Sequence, residues 1–87
     1  MVNEKIKMVM LKAVSRALEY KKKNVEAEMD EIMHHVVDSS EERGFLEMGR
    51  IAAASKALKY KEIGLNDKEI IRKIMLEADE MIMNIDR

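Results

Sequence analysis

Glu31, His34 and His35 are the side chains of this 87-residue chain that stand closest to metal chemistry. The stretch Glu31-Ile32-Met33-His34 puts a carboxylate and an imidazole on successive turns of one helix, a spacing with which helical bundles grip a metal ion. Asp30, His35 and Asp38 lie close enough in sequence to add ligands. Two features argue against a metal centre. A two-metal site needs a second Glu-x-x-His, and the chain contains none. If Met29, Ile32, Met33 and Val36 face inward, Glu31 and His34 point to the polar side, where solvated carboxylates and histidines are ordinary. No metal and no cofactor is expected, and a metal-binding helical bundle is the least favoured reading.

Lys5, Lys12, Arg16 and Lys23 recur at spacings that set them along one outward line of a helix. Such a line suits phosphates, so a small nucleic-acid-binding regulator is the alternative reading. Against it stand a net charge of −1 and the lack of aromatics suited to base stacking, since Tyr20, Phe45 and Tyr60 are the only rings of that kind. No catalytic set is visible. The chain has no cysteine, no glycine-rich phosphate loop and no serine set with histidine and aspartate in a known pattern. Enzyme activity is not expected.

The elements that must carry these residues are helices. There is no proline, and 47% of the residues are apolar while 38% are charged, a balance that suits a folded domain. A first helix over 3–23 presents Ile6, Met10, Leu11, Ala13, Val14, Ala17 and Leu18 at helical spacing. Lys21, Lys22 and Lys23 crowd its last turn, where the helix dipole favours cations, and Asn24 is expected as a left-handed stop followed by apolar Val25. The second helix is expected over 25–37. Ser39 and Glu42 form a capping box that should open the third, running to about residue 63 with Gly44 and Gly49 inside it as points of close helix contact. Gly64 and Leu65 should end it, and Asn66 with Glu69 makes a second capping box. The fourth helix carries Ile71, Ile74, Met75, Ala78, Ile82 and Ile85 as its inward stripe.

The order of these helices repeats. Residues 13–21 match residues 53–61 at six of nine positions with a constant offset of 40. The reading is therefore an all-α fold of two tandem αα-hairpins, residues 1–38 and 39–87, forming a single four-helix domain or an intertwined homodimer. Charge follows the same order. Residues 1–23 carry seven positive and two negative side chains, residues 24–42 carry seven negative and none positive, and 43–62 return to five against two. Alternating signs flank helix seams and favour the intended pairing.

Two family resemblances touch this pattern. Asp38-Ser39 resembles the modified-serine site of the acyl carrier proteins over those two residues, but Val37 and Ser40 replace the glycine before and the apolar residue after. Ala57, Tyr60 and Gly64, with Ala17, Tyr20 and Asn24, resemble half a tetratricopeptide repeat, whose period of about 34 is shorter than the one here. Neither extends beyond its few residues.

Helices one and three are apolar over more than one face. Met8 and Val9 leave the main stripe of the first, and Phe45, Met48 and Ala52 form a second line on the third. Surplus apolar surface on so short a chain points to a partner interface, and a second copy is the economical partner. The expected function is a small non-enzymatic interaction or regulatory module acting as a homodimer. No apolar run approaches the ~20 residues that span a bilayer, and residues 1–5 lack the form of a secretory signal. A cytoplasmic protein without membrane contact is expected.

Overall fold

The computed structural model describes residues 2–38 and 44–85, with the side chains of all of these except Val2, Asn3, Phe45 and Ile85. They form four helices: α1 (Val2–Lys23), α2 (Met29–Asp38), α3 (Phe45–Glu62) and α4 (Asp67–Ile85). No strand occurs among the described residues.

The α1–α2 junction is a true break, but it is built differently from expectation. Asn24 is not left-handed, because no described residue other than glycine has a positive φ. Side chains stop the helix instead. Lys21 Nζ donates to the carbonyls of Val25 and Ala27 at 2.8 and 2.9 Å, and Asn24 Nδ2 donates to the carbonyl of Tyr20 at 3.1 Å. The connection then runs to residue 28, so α2 begins four residues later than the sequence suggests, and Val25 is left in solvent.

Gly44 also departs from expectation. Its φ of 66° lies outside the right-handed helical region, so it caps α3 rather than lying inside it, and the helix starts at Phe45 instead of near Ser39. The capping box of Ser39 and Glu42 lies outside the described residues. The other end of α3 matches its sequence signals. Gly64, at φ 103°, donates its N–H to the carbonyl of Lys61 at 3.1 Å, and Leu65 donates to that of Tyr60 at 3.1 Å. This is the paired-bond stop that only a residue tolerant of positive φ completes. Two residues on, Asn66 Oδ1 accepts the Glu69 N–H at 2.9 Å and Glu69 Oε1 accepts the Asn66 N–H at 3.1 Å, so the capping box closes in both directions.

Helices α1 and α3 form the centre, and α2 and α4 each pack against both of them without touching one another. The central pair runs parallel. A Cβ at Gly49 of α3 would come within 2.9 Å of Ile6 near the start of α1, while Lys21, Lys22 and Lys61 share one cleft at the other end. Small residues permit this approach: Ala13, Ala17, Ala53, Ala54 and Ala57 are all fully buried. One cluster joins α1, α3 and α4 through Ile6, Met10, Val14, Ala53, Ala57 and Ile74. A second joins α1, α2 and α3 through Ala17, Ile32, Val36, Ala54 and Leu58. The radius of gyration, 12.0 Å, is that of a compact chain of this length.

In α4 the buried line is Ile70, Ile74, Ala78, Met81 and Ile82, with Ile71 half-buried. The expected stripe is thus rotated by about one residue. Met75 turns out to solvent, because antiparallel packing in the groove between α1 and α3 selects the flank that carries Ile70 and Met81.

Candidate protein-interaction surface

Two side chains of the Glu31–His35 stretch contact α1. Glu31, His34 and His35 are all exposed on α2. Tyr20 of α1 donates its hydroxyl to Glu31 Oε2 at 2.7 Å, and the His35 ring stacks on the Tyr20 ring at 4.5 Å between centroids. The bond to Glu31 raises the Tyr20 hydroxyl pKa above its ordinary value. Among the described residues no three His, Asp or Glu side chains are grouped as a metal would need. Glu31 and His35 latch α2 to α1.

A second latch joins α3 to α4. The Tyr60 hydroxyl donates to Glu77 at 2.6 and 2.9 Å, Lys56 Nζ lies 3.4 Å from the same carboxylate, and Lys73 Nζ stands 5.4 Å from the Tyr60 ring centre. The hydrogen bond to Glu77 and then burial push the Tyr60 pKa up to about 12. The same bond, with Lys56 and Lys73, holds the Glu77 carboxyl below its usual value against the opposing effect of burial. A phenol so hard to ionise is a poor acid or base at neutral pH, so the cluster reads as a clasp. Sequence reasoning did not find it; the signal was Tyr60 standing where Tyr20 stands one offset earlier. Arg50 was also missed. It is 2% exposed and donates to the Val36 carbonyl at 2.9 Å, placing its charge where the α2 dipole is negative. Nothing in the local sequence separates it from a surface arginine.

Lys5, Lys12, Arg16 and Lys23 are exposed on α1, as a line of cations would require. Lys23 pairs with Glu19 at 3.3 Å. The connection after α1 and the start of α2 expose Glu26, Glu28, Asp30 and Glu31.

The apolar residues expected at a partner interface are dispersed. Met8 is 60% exposed and Met48 is 53% exposed, but the helical spacing turns Met8 away from α3 and Met48 away from α1. They do not share one patch. Val9 is 6% exposed and packs inside the chain, so it does not belong to an outer surface. Ala52 is half-buried against the α1–α3–α4 cluster. Gly49 serves the α1–α3 contact within the chain rather than a contact between copies. The Phe45 side chain lies outside the described residues. In α4, Leu76 and Met83, seven residues apart on one face, are 79% and 63% exposed; Met83 stands off the inward stripe as its sequence position indicates, while the exposure of Leu76 was not anticipated.

A cleft of about 440 Å³ near the α1–α2 junction is lined by Ala27, Met29, Ile32 and Leu58 with charged residues at its rim. Its two lysines are already engaged, Lys21 with loop carbonyls and Lys61 with Asp67 at 2.9 Å. Among the described residues no helix is long and apolar enough to cross a membrane. No protein-family model, curated protein or solved structure matches the chain.

Proposed function

We propose that this chain is a non-enzymatic helical interaction module that works as a homo-oligomer in the cytoplasm. One observation carries the reading: the interior is closed by two apolar clusters, yet Met75, Leu76 and Met83 of α4 stay in solvent. A large apolar side chain left exposed forgoes roughly 1.5–3 kcal/mol that full burial would contribute. Grouped on one helix, they favour a protein partner, and a second copy is the simplest one.

The tandem-hairpin reading supports the same view. Tyr20 and Tyr60 each donate to a glutamate of the following helix, and Lys21 and Lys61 each tie a helix end to the segment after it. These positions are 40 apart. Repeated helical hairpins bury their surface mainly against neighbours, which suits a protein that assembles.

Light scattering from micromolar to submillimolar concentration tests the reading. The expected result is a species at twice the 10.1 kDa chain mass. A monomer at every concentration overturns the homo-oligomer. Salt-sensitive binding to duplex DNA, abolished by Lys12→Glu with Arg16→Glu, would instead put the basic line of α1 first.

A further inference from the structure

We infer that a second copy of this chain docks antiparallel on the outward face of α4, with the two-fold axis passing beside Leu76. The inference rests on the homo-oligomer reading and names the face that assembly uses.

Leu76 is 79% exposed, the highest value among the large apolar side chains described. The charges around it are ordered along the helix. Arg72 and Lys73 precede it by about a turn, Asp79 and Glu80 follow it, and all four are exposed. Arg72 and Asp79 are seven residues apart, as are Lys73 and Glu80. Seven residues make about two turns, so each opposite-charge pair keeps to one side of Leu76, Arg72 with Asp79 and Lys73 with Glu80.

An antiparallel two-fold centred on position 76 brings positions 72 and 73 of one copy level with positions 79 and 80 of the other. Residues on the same side of the axis then meet. Arg72 faces the partner's Asp79 and Lys73 faces the partner's Glu80, and the symmetry repeats both contacts. Four opposite-charge pairs surround a centre made by Leu76 of each copy. A parallel pairing would set like charges level, which charge repulsion disfavours. This order of signs is self-complementary, which is the reason a second copy fits the face better than an unrelated helix.

The intrachain partners leave room for these contacts. Asp79 takes Lys7 at 2.8 Å through Oδ1 while its side chain stays 73% exposed, and a carboxylate accepts more than one cation. Lys73 lies over the Tyr60 ring and its residue remains exposed.

Two charge-reversed double variants test the proposal, Arg72→Glu with Lys73→Glu and Asp79→Lys with Glu80→Lys. Each alone sets like charges face to face, and sedimentation should show its self-association weakened by roughly 100-fold or more. Mixed in equal amounts they restore every opposite-charge pair, so a heterodimer at twice the chain mass should return. Leu76→Asp in the native chain should also give monomer. Circular dichroism of each variant confirms that the helices persist. If the native protein dimerises and both charge variants dimerise as well, the α4 face is not the interface, and the homo-oligomer reading stands without it. A native chain that is monomeric throughout overturns both.

Discussion

Tyr60 and Glu77 fix each other's protonation, and that gives the fold two pH limits. Glu77 has its pKa lowered, chiefly by the Tyr60 hydrogen bond. Its contribution is therefore fully present above the ordinary carboxyl value of 4.5 and is lost as the pH falls through the lower folded value. Tyr60 has its pKa raised from 10.0 to about 12. Its contribution is full below pH 10.0 and is lost as the pH rises toward about 12. Replacing Tyr60 by Phe removes the hydroxyl and leaves Lys56 as the near partner of Glu77. Urea unfolding should show a loss of about 1 kcal/mol at neutral pH and a shallower dependence in both windows. An unchanged profile in the acid window would show that Glu77 is held by its lysines instead.

The same residue-level economy governs the junctions between elements. Between α3 and α4 the backbone turns through Gly64 at φ 103° and restarts through the reciprocal bonds of Asn66 and Glu69. Asn66→Ala removes the acceptor for the Glu69 N–H and should cost about 1 kcal/mol. Gly64→Ala meets no neighbouring atom, so its cost, also about 1 kcal/mol, comes from backbone conformation alone. Thermal melts of both variants check this, and an unchanged melting temperature for Gly64→Ala would contradict the left-handed stop. The α1–α2 junction should respond differently. Asn24→Gly gains nothing from left-handed freedom, because Asn24 does not occupy that region.

At the scale of the whole molecule, the parallel approach of α1 and α3 is the contact on which both flanking helices depend. Gly49 makes it possible, since a Cβ there would stand 2.9 Å from both Cδ1 and Cγ1 of Ile6. Gly49→Ala gains about 1 kcal/mol of helix propensity. It also pushes on a side chain that is fully buried, with Met10 3.5 Å from the new atom, and overpacking of this kind costs typically 1–3 kcal/mol. The clash should win, giving net destabilisation of about 1 kcal/mol. Adding Ile6→Val, which removes Cδ1, should cost less than the sum of the two single changes. Additive losses in denaturant unfolding would place the strain elsewhere.

Features that depend on neighbours in sequence were determined by the sequence itself. Gly64, Asn66 and Glu69 act within a few residues of one another, so the end of α3 and the start of α4 were legible before any packing was known. The four helices were legible too, since apolar residues at helical spacing with no proline leave little else to form. Which flank of each helix is buried was decided by tertiary structure. Periodicity places a stripe to within about a residue when several adjacent positions are apolar. In α4 the groove between α1 and α3 chose Ile70 and Met81 and released Met75, and in α1 Val9 is buried although it lies off the expected stripe. Gly44 and Gly49 were indistinguishable as residues; a positive φ and a buried isoleucine gave them separate roles. The candidate surface followed the same rule. Met83 stands off the inward stripe already in the sequence, but Leu76 became visible as an outward residue only once the packing of α4 had fixed its inward side, because a helix has no outside until something covers the rest of it.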